Sequence, residues 1–205
     1  ICKVFTTNLL FMSMKKALGR LCVCASVLLT GTTGCHSSYL EPSNGISVST
    51  PQGELSVQVL QTGAIRVQCV PQDIELPTLE ELTYAGNNTP DCKVYVRKKG
   101  NILFLNTDKG NLGVRIDTRT GHLTFTDRKG KVLLDEVQGS RTIKADTQSF
   151  DGYNCLDVSQ SFKTGYDEFL FGTGQFQDGY LNIRGLTRRL TQVNTQISIP
   201  MIISN

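Results

Sequence analysis

A segment near the C-terminal end of the chain concentrates side chains that could bind a sugar. Between residues 172 and 196 the sequence carries many amide and guanidinium groups. Sugar hydroxyls need paired hydrogen-bond donors and acceptors, which such groups supply. The polar side chains concerned are Gln175, Gln177, Asp178, Asn182, Arg184, Gln192 and Asn194. The same run is also typical of a solvated surface loop, and composition alone favours that second interpretation.

Other chemistry has no recognisable motif in the sequence. We find no Gly-x-Ser-x-Gly elbow, phosphate-binding loop, dinucleotide-binding glycine motif or pair of histidines at metal spacing. Adjacent acids such as Asp135 and Glu136 cannot act together on a strand, because neighbouring side chains point to opposite faces, and acid pairs in loops are expected to be solvated. We therefore predict no catalytic residue, no metal ion and no cofactor in this chain. Asp178 is expected to cap a turn rather than to bind a sugar.

Four runs in the C-terminal segment resemble one known family. They are Phe171-Gly-Thr-Gly-Gln175, Asn182-Ile-Arg-Gly185, Leu190-Thr-Gln-Val-Asn194 and Ile197-Ser-Ile-Pro200. The hairpin sequence Gly121-His-Leu-Thr-Phe-Thr-Asp127 fits the same pattern. Together they resemble the galactose-mutarotase-like N-terminal β-sandwich of family 31 glycoside hydrolases, the α-glucosidases and α-xylosidases. The resemblance covers about residues 45–205.

The resemblance implies a retaining α-glycosidase that acts on an oligosaccharide. In such enzymes two carboxyl groups about 5–5.5 Å apart carry the reaction, and in this family they lie in a (β/α)8 barrel that follows the sandwich. The chain ends at Asn205 before any barrel, so we expect a truncated sandwich that is inactive alone. The expected role of the sandwich is to support its own barrel and to send one loop to the substrate pocket.

The loop from Arg184 to Gln196 is the part of the chain that the resemblance places near the sugar. Many relatives carry an Asn-Arg-Asp triplet there, where this chain reads Leu190 to Asn194 and has no carboxylate. We predict Gln192, Asn194 and Arg184 as substrate-binding residues. Residues 179–205 contain three arginines and no acid, so we also expect Arg184, Arg188 or Arg189 to pair with carboxylates of the barrel.

A non-enzymatic interpretation stands beside the glycosidase. The chain could be a surface lipoprotein that binds carbohydrate through a β-sandwich, or a structural sandwich without a site. The absence of tryptophan argues against the carbohydrate-binding protein, because isolated sugar-binding sandwiches commonly stack sugars on aromatic rings.

The elements that must position this loop are predicted to be β-strands. From residue 46 onward apolar residues alternate with polar ones, and Gly- or Pro-containing turns separate short runs at intervals of about 8–12 residues. No 3.6-residue apolar stripe occurs, apart from a single helical turn expected at residues 79–82. The sequence therefore predicts an all-β, antiparallel β-sandwich over residues 46–205.

Residues before the sandwich resemble a bacterial lipoprotein signal. Met14 opens a basic stretch, an apolar run follows from Leu21 to Leu29, and Thr32-Thr-Gly-Cys35 ends it. The apolar run is shorter than the roughly 20 residues that a membrane span needs. We assign residues 1–35 to upstream and signal sequence, outside the sandwich, and residues 36–45 to a tether. Cys35 is the expected lipidation site, which predicts a membrane-anchored protein of the bacterial cell envelope.

Charge and cysteine usage narrow the function further. The chain carries a formal charge of +3, but four of its 21 basic residues and none of its 18 acids precede residue 36, which leaves a net charge of −1. This balance argues against nucleic acid as a partner.

Cys69 is expected to be a small buried hydrophobic residue, and a Cys92–Cys155 disulfide stays an open alternative. His122 is expected on the surface of a strand.

Overall fold

The protein is built from β-strands. The computed structural model describes residues 2–10, 39–40, 44–61, 63–72, 74, 90–109, 111–145 and 155–205. The described residues form fourteen strands and no helix. In chain order they are β1 (Cys2–Leu10), β2 (Tyr39–Leu40), β3 (Gly45–Thr50), β4 (Gly53–Val59), β5 (Ile65–Val70), β6 (Val94–Lys99), β7 (Ile102–Thr107), β8 (Leu112–Asp117), β9 (Leu123–Asp127), β10 (Val132–Glu136), β11 (Thr142–Ala145), β12 (Cys155–Lys163), β13 (Leu170–Gln175) and β14 (Ile197–Ser204). The predicted all-β fold is confirmed.

Two antiparallel sheets form a sandwich. One has the order β2-β3-β4-β5, and the other has the order β1-β12-β10-β9-β8-β7-β6, with β11 paired to β12. Alternate residues of each sheet point into a shared core because the side-chain period of a strand is two. The four-stranded sheet contributes fully buried residues such as Ile46 and Leu55, and the larger sheet contributes Leu103, Ile116 and Leu123.

The strand boundaries follow from the turn residues of the sequence. Gly53 has a φ of 132° and stands at the β3–β4 hairpin, where an added Cβ would lie 2.1 Å from the carbonyl oxygen of Val70. Only glycine tolerates this combination of positive φ and close backbone approach. The hairpin from β8 to β9 turns at Gly121, as the spacing predicts.

The structure differs from the expectation that residues 1–35 stay outside the sandwich. The backbone of Cys2–Leu10 forms β1, which lies beside β12 at the end of the larger sheet. Val, Phe and Thr residues in this stretch favour the extended backbone. Cys35, the apolar run of the signal and the helical turn expected at residues 79–82 lie outside the described residues. No helix in the described part of the chain is long and apolar enough to cross a membrane.

The cysteine assignments are resolved in part. Cys69 and Cys92 are free cysteines that pack, partly buried, against the core. The Cys92–Cys155 disulfide is therefore not formed, and Cys92 serves as a small apolar side chain instead. Burial raises the pKa of the Cys69 thiol, an effect that the neighbouring Arg141 guanidinium opposes.

The chain divides into two compact units. Residues 4–161 form one, and residues 162–205 together with residues 1–3 form the other. The second unit contains the antiparallel pair β13–β14 and the polar segment identified in the sequence.

Candidate functional site

The polar segment forms one long loop, residues 176–196, between β13 and β14. The two strands pair from Leu170 and Ser204 to Gln175 and Ile197, so that the last pair closes the base of the loop. A loop of about 20 residues without regular secondary structure is uncommon in a compact protein and is usually functional. We call it the 176–196 loop.

Two glycines shape the strand from which this loop departs. The φ angles are 109° at Gly172 and 102° at Gly174, and that of Thr173 between them is 68°. A Cβ at Gly174 would lie 2.1 Å from the carbonyl oxygen of Ile197, and one at Gly172 would lie 2.5 Å from that of Met201. The register shifts between the two glycines, as in a β-bulge that redirects a side chain. The missing side chains of the two glycines therefore allow the backbones of β13 and β14 to approach closely.

Arg188 ties the middle of the loop to this bulge. Its side chain is 10% exposed, and its Nη2 lies 2.5 Å from Oδ2 of Asp178. Its Nη1 donates to Oγ1 of Thr173 at 3.0 Å, and its guanidinium carbon lies 4.4 Å from the ring centroid of Phe176, a cation–π contact. Its Nε is buried and has no hydrogen-bond partner among the described residues. One arginine therefore connects the strand, the start of the loop and its middle.

Asn182 fixes the first half of the loop. Its Oδ1 accepts hydrogen bonds from the backbone N–H groups of Leu170 and Arg184, each at 3.1 Å. The backbone N–H of Ile183 donates to the carbonyl oxygen of Leu170 at 2.8 Å, and the Ile183 side chain is buried. Residues 182–184 thus dock on the first residue of β13.

Arg184, a predicted substrate-binding residue, makes its hydrogen bonds within this unit. Its Nη1 donates to the carbonyl oxygens of Gly165 at 2.5 Å and Glu168 at 2.8 Å. The Glu168 carboxylate in turn accepts from the backbone N–H of Gly165 at 2.8 Å. These bonds hold the turn that leads into β13, an arrangement that favours a structural role for Arg184 over direct sugar contact.

Gln192 and Asn194 lie together on a small hairpin at the end of the loop. Val193 and Gln196 exchange two backbone hydrogen bonds of 3.3 and 3.1 Å, which leaves Asn194 exposed at the tip. Gln192 is exposed as well, and its Oε1 accepts from the backbone N–H of Ser198 at 3.0 Å. These two amides therefore lie on the same hairpin at the end of the loop, whereas Arg184 lies in the first half of the loop.

One face of β14 is apolar and exposed. Ile197, Ile199, Met201 and Ile203 alternate along the strand and are 46–53% exposed. Residues two apart on a strand lie on the same face, so the four side chains form one apolar row. We call this row the β14 face.

The relatives of the chain are glycosidases. It is 30% identical over 141 residues to an α-xylosidase of Saccharolobus solfataricus, with 64% of this chain and 17% of that protein covered. It is 26% identical over 190 residues to an uncharacterized family 31 glucosidase of Pseudescherichia vulneris, with 82% of this chain and 34% of that protein covered. No protein-family profile matches it.

A solved structure agrees in fold and sequence. The family 31 α-xylosidase of Xanthomonas citri superposes with a TM-score of 0.68 at 30% identity, over 80% of this chain and 18% of that chain. In both sequence and fold, the chain therefore resembles part of the family 31 glycoside hydrolases. It spans only about a third or less of the length of the relatives and the solved structure that it matches.

The three arginines between residues 179 and 205 are not all uncompensated, contrary to the sequence-based expectation. Arg188 pairs with Asp178, which lies one residue before the acid-free range 179–205 and is brought to the arginine by the fold of the loop. Asp178 also accepts from the backbone N–H of Tyr180 at 3.2 Å, so its predicted role as a turn cap is confirmed. Arg189 is exposed.

A second polar cluster lies in the other compact unit, residues 4–161. Glu136 is 5% exposed, and both of its carboxylate oxygens accept hydrogen bonds from Nη2 of Arg141, at 2.6 and 2.7 Å. Its Oε2 also accepts from the backbone N–H of Leu123 at 2.9 Å, and Nε of Arg141 donates to Oε1 of Gln160 at 3.1 Å. Glu136 is the last residue of β10, and the strand places its side chain on the buried side.

His122 borders this cluster and is not a freely exposed strand residue. Its Nε2 lies 2.8 Å from the carbonyl oxygen of Glu136 and 3.3 Å from Oδ1 of Asp135. Asp135 and Glu136 are directed to different neighbours, as expected for consecutive strand residues. The described residues contain no group of three or more His, Cys, Asp or Glu that could hold a metal ion.

Sequence reasoning missed the residues that organise the loop. The sequence did not indicate that Arg188 would meet Thr173 and Phe176. A buried arginine needs hydrogen-bond acceptors and can stack on an aromatic ring, and these residue types supply both. The available signal was the acid Asp178 ten residues before Arg188, in a segment otherwise without acids.

Proposed function

We propose that this chain is the N-terminal domain of a retaining α-glycosidase whose two catalytic carboxylates lie in a barrel elsewhere in a longer protein. The observation that carries the proposal is the relation to family 31 enzymes over 64–82% of this chain and only 17–34% of theirs. The two carboxyl groups that a retaining glycosidase needs about 5–5.5 Å apart would then lie outside the sandwich.

An α-xyloside is the substrate class that the comparisons favour. The two matches that reach 30% identity are both named α-xylosidases. The match named a glucosidase is 26% identical and counts for less. We therefore propose α-xylosidase activity in the intact protein, with α-glucosidase activity as the second candidate.

The β14 face supports a role in packing against the rest of the longer protein. A contiguous row of exposed Ile and Met side chains is costly in water and commonly marks an interface. A two-stranded ribbon such as β13–β14 is also marginally stable alone and gains from a packed partner. We propose that the barrel covers this face and that the sandwich supports the barrel there.

The end of the 176–196 loop is proposed to reach the rim of the sugar pocket. Gln192 and Asn194 offer exposed amides on a hairpin that backbone hydrogen bonds hold in shape. Exposed Leu190 and Val193 next to them indicate that this hairpin meets another surface. Amides at such a rim can donate to and accept from sugar hydroxyls at once.

The test of the proposed function compares the full-length protein with this chain alone. We expect the full-length protein to cleave an aryl α-xyloside with a higher kcat/KM than an aryl α-glucoside. We expect residues 36–205 alone to cleave neither, because the proposal places both catalytic carboxylates in the barrel. Hydrolysis by the isolated chain would contradict the proposal. Glycan binding without any hydrolysis by the full-length protein would favour the carbohydrate-binding lipoprotein.

Asn194→Ala is expected to lower kcat/KM of the full-length enzyme by a factor equivalent to about 1–3 kcal/mol, the cost of leaving one buried sugar hydroxyl without its partner. Gln192→Ala is expected to act in the same direction and to weaken the hairpin as well, because its Oε1 also accepts from Ser198. Steady-state kinetics with the preferred aryl glycoside measure both effects. Gln177→Ala, at an exposed position near the start of the loop, is the control and should change kcat/KM by less than about twofold. Unchanged kcat/KM in both hairpin variants would leave the hairpin with a packing role.

A further inference from the structure

We propose that Arg188 is the positioning residue of the 176–196 loop, which sets the place of the loop on the β13–β14 ribbon without touching substrate. The inference rests on the proposed function, because it assigns how the loop that carries Gln192 and Asn194 is held. It replaces the expectation that Arg188 pairs with a carboxylate of the barrel, since Asp178 of its own domain already holds it.

The strand side of this contact is built by the bulge. Thr173 is 7% exposed, and its φ of 68° is unusual for a β-branched residue. Its Oγ1 donates to the carbonyl oxygen of Gly172 at 2.6 Å and accepts from Nη1 of Arg188 at 3.0 Å. The glycines on either side permit the bulge, and the bulge turns the threonine hydroxyl toward the arginine. The Gly-Thr-Gly sequence thus creates a hydrogen-bond acceptor at a fixed place on a rigid strand.

The loop side of the contact needs the shape of a guanidinium group. Nη1 and Nη2 of Arg188 reach different partners, Thr173 and Asp178, while the flat face of the group stacks on Phe176. An ammonium group carries the same charge but has no planar fork and no flat face. A lysine therefore cannot make all three contacts, and Arg188→Lys separates geometry from charge.

Few other contacts hold this part of the loop. Leu186 and Leu190 on either side of Arg188 are 38% and 41% exposed, so they contribute little burial. The first half of the loop is tied separately through Asn182, and the terminal hairpin through Gln192 and Thr191. Loss of the Arg188 contacts should therefore release residues 186–190 while the strands and the other ties persist.

The experiment uses the full-length protein with Arg188→Lys, Asp178→Asn and the control Thr187→Ser, which alters an exposed neighbour. We expect Arg188→Lys and Asp178→Asn each to lower kcat/KM for the aryl α-glycoside by about 10-fold to 100-fold, because small misplacement of a substrate-contacting element has effects of this size. The double variant that carries Arg188→Lys and Asp178→Asn should lose little more than either single one.

A second comparison uses a background that already carries Gln192→Ala and Asn194→Ala. There Arg188→Lys should have little further effect, as expected of a residue that acts through those amides. Thr187→Ser should stay within about twofold.

Hydrogen exchange supplies a readout that does not depend on activity. The Leu186 amide, which donates to the carbonyl oxygen of Ile183 at 3.1 Å, should exchange at least about tenfold faster in Arg188→Lys, while the amides of β13 and β14 keep their wild-type rates. Unchanged exchange, or a full kinetic effect of Arg188→Lys in the Gln192→Ala and Asn194→Ala background, would overturn the inference. Faster exchange across β13 and β14 as well would also overturn it, since the role would then be general stability. If the wild-type protein cleaves no α-glycoside, the proposed function fails, and exchange of the Leu186 amide alone decides the role of Arg188.

Discussion

Replacing Arg141 by methionine is expected to lower the free energy of unfolding of the sandwich by about 3–5 kcal/mol, because it leaves the carboxylate of Glu136 buried without its counter-charge. The side chains of Arg141 and Glu136 are only 11% and 6% exposed. Water therefore cannot replace the lost guanidinium without opening the structure around the carboxylate.

The surrounding network makes the loss larger than that of one ion pair. Arg141 also donates to Gln160, and its carbonyl oxygen accepts from the side-chain amide of Gln52, 89 positions earlier in the chain. Gln160 continues the network to Oγ of Ser140 at 2.9 Å. Removal of the guanidinium thus takes a donor from Oε1 of Gln160 as well as from the Glu136 carboxylate, and each of these groups carries its own desolvation cost. The bond of Gln52 to the backbone carbonyl oxygen of residue 141 can persist in the variant.

A double variant separates the pair from its environment. Arg141→Met with Glu136→Leu removes both charges, and we expect it to recover most of the lost stability, because apolar replacement of a buried pair is often neutral. Arg115→Met is the control, since Arg115 donates to the carbonyl oxygen of Gly130 at 3.0 Å in an exposed setting and should change stability by less than about 1 kcal/mol. Urea unfolding with a stability loss below about 1 kcal/mol for Arg141→Met would show that the pair contributes little.

The strands could be predicted because their signal is local. In β3 and β4, residues such as Ile46, Val48, Leu55 and Val57 alternate with polar neighbours, and the structure buries all four. A period of two fixes which side chains face the core without knowledge of the partner strand. Turn glycines such as Gly121 and Gly130 gave the ends of the hairpins for the same reason, since positive φ is a property of the residue itself.

The polar contacts could not be predicted because they depend on how distant segments meet. Glu136 is an ordinary acid in the sequence, and only the packing of β10 against β9 shows that it is buried beside Leu123. Arg184 and Arg188 are the same residue type in the same loop. Even so, Arg188 binds a carboxylate, whereas Arg184 binds backbone carbonyl oxygens. The family resemblance predicts a loop from Arg184 to Gln196, and these residues do lie in the 176–196 loop. It could not say which arginines of the loop are neutralised by an acid of the same chain.

Substitution of Gly174 by alanine is expected to destabilise the β13–β14 ribbon by about 2–6 kcal/mol. A φ of 102° costs an L-residue about 1–3 kcal/mol, and forcing a methyl group into an occupied site adds about 1–3 kcal/mol. The occupied site is backbone rather than a movable side chain, because the new Cβ would lie 2.1 Å from the carbonyl oxygen of Ile197. The strands must therefore separate or shift at this pair. Hydrogen exchange of the Leu170–Gln175 and Ile197–Ser204 amides measures the loss.

Gly185→Ala is the matched control, because Gly185 also has a positive φ, 81°, but an added Cβ there meets no atom within 4 Å. It should cost only the backbone component, about 1–2 kcal/mol. The difference between the two variants isolates the close approach of β13 and β14. The bulge also directs Thr173 to Arg188, so Gly174→Ala should disturb the middle of the 176–196 loop as well as the strands, whereas Gly185→Ala should leave β13–β14 exchange near wild type. Equal destabilisation by both variants would mean that the strands can shift freely at the bulge. The bulge would then not hold the Thr173 hydroxyl in a fixed position toward Arg188.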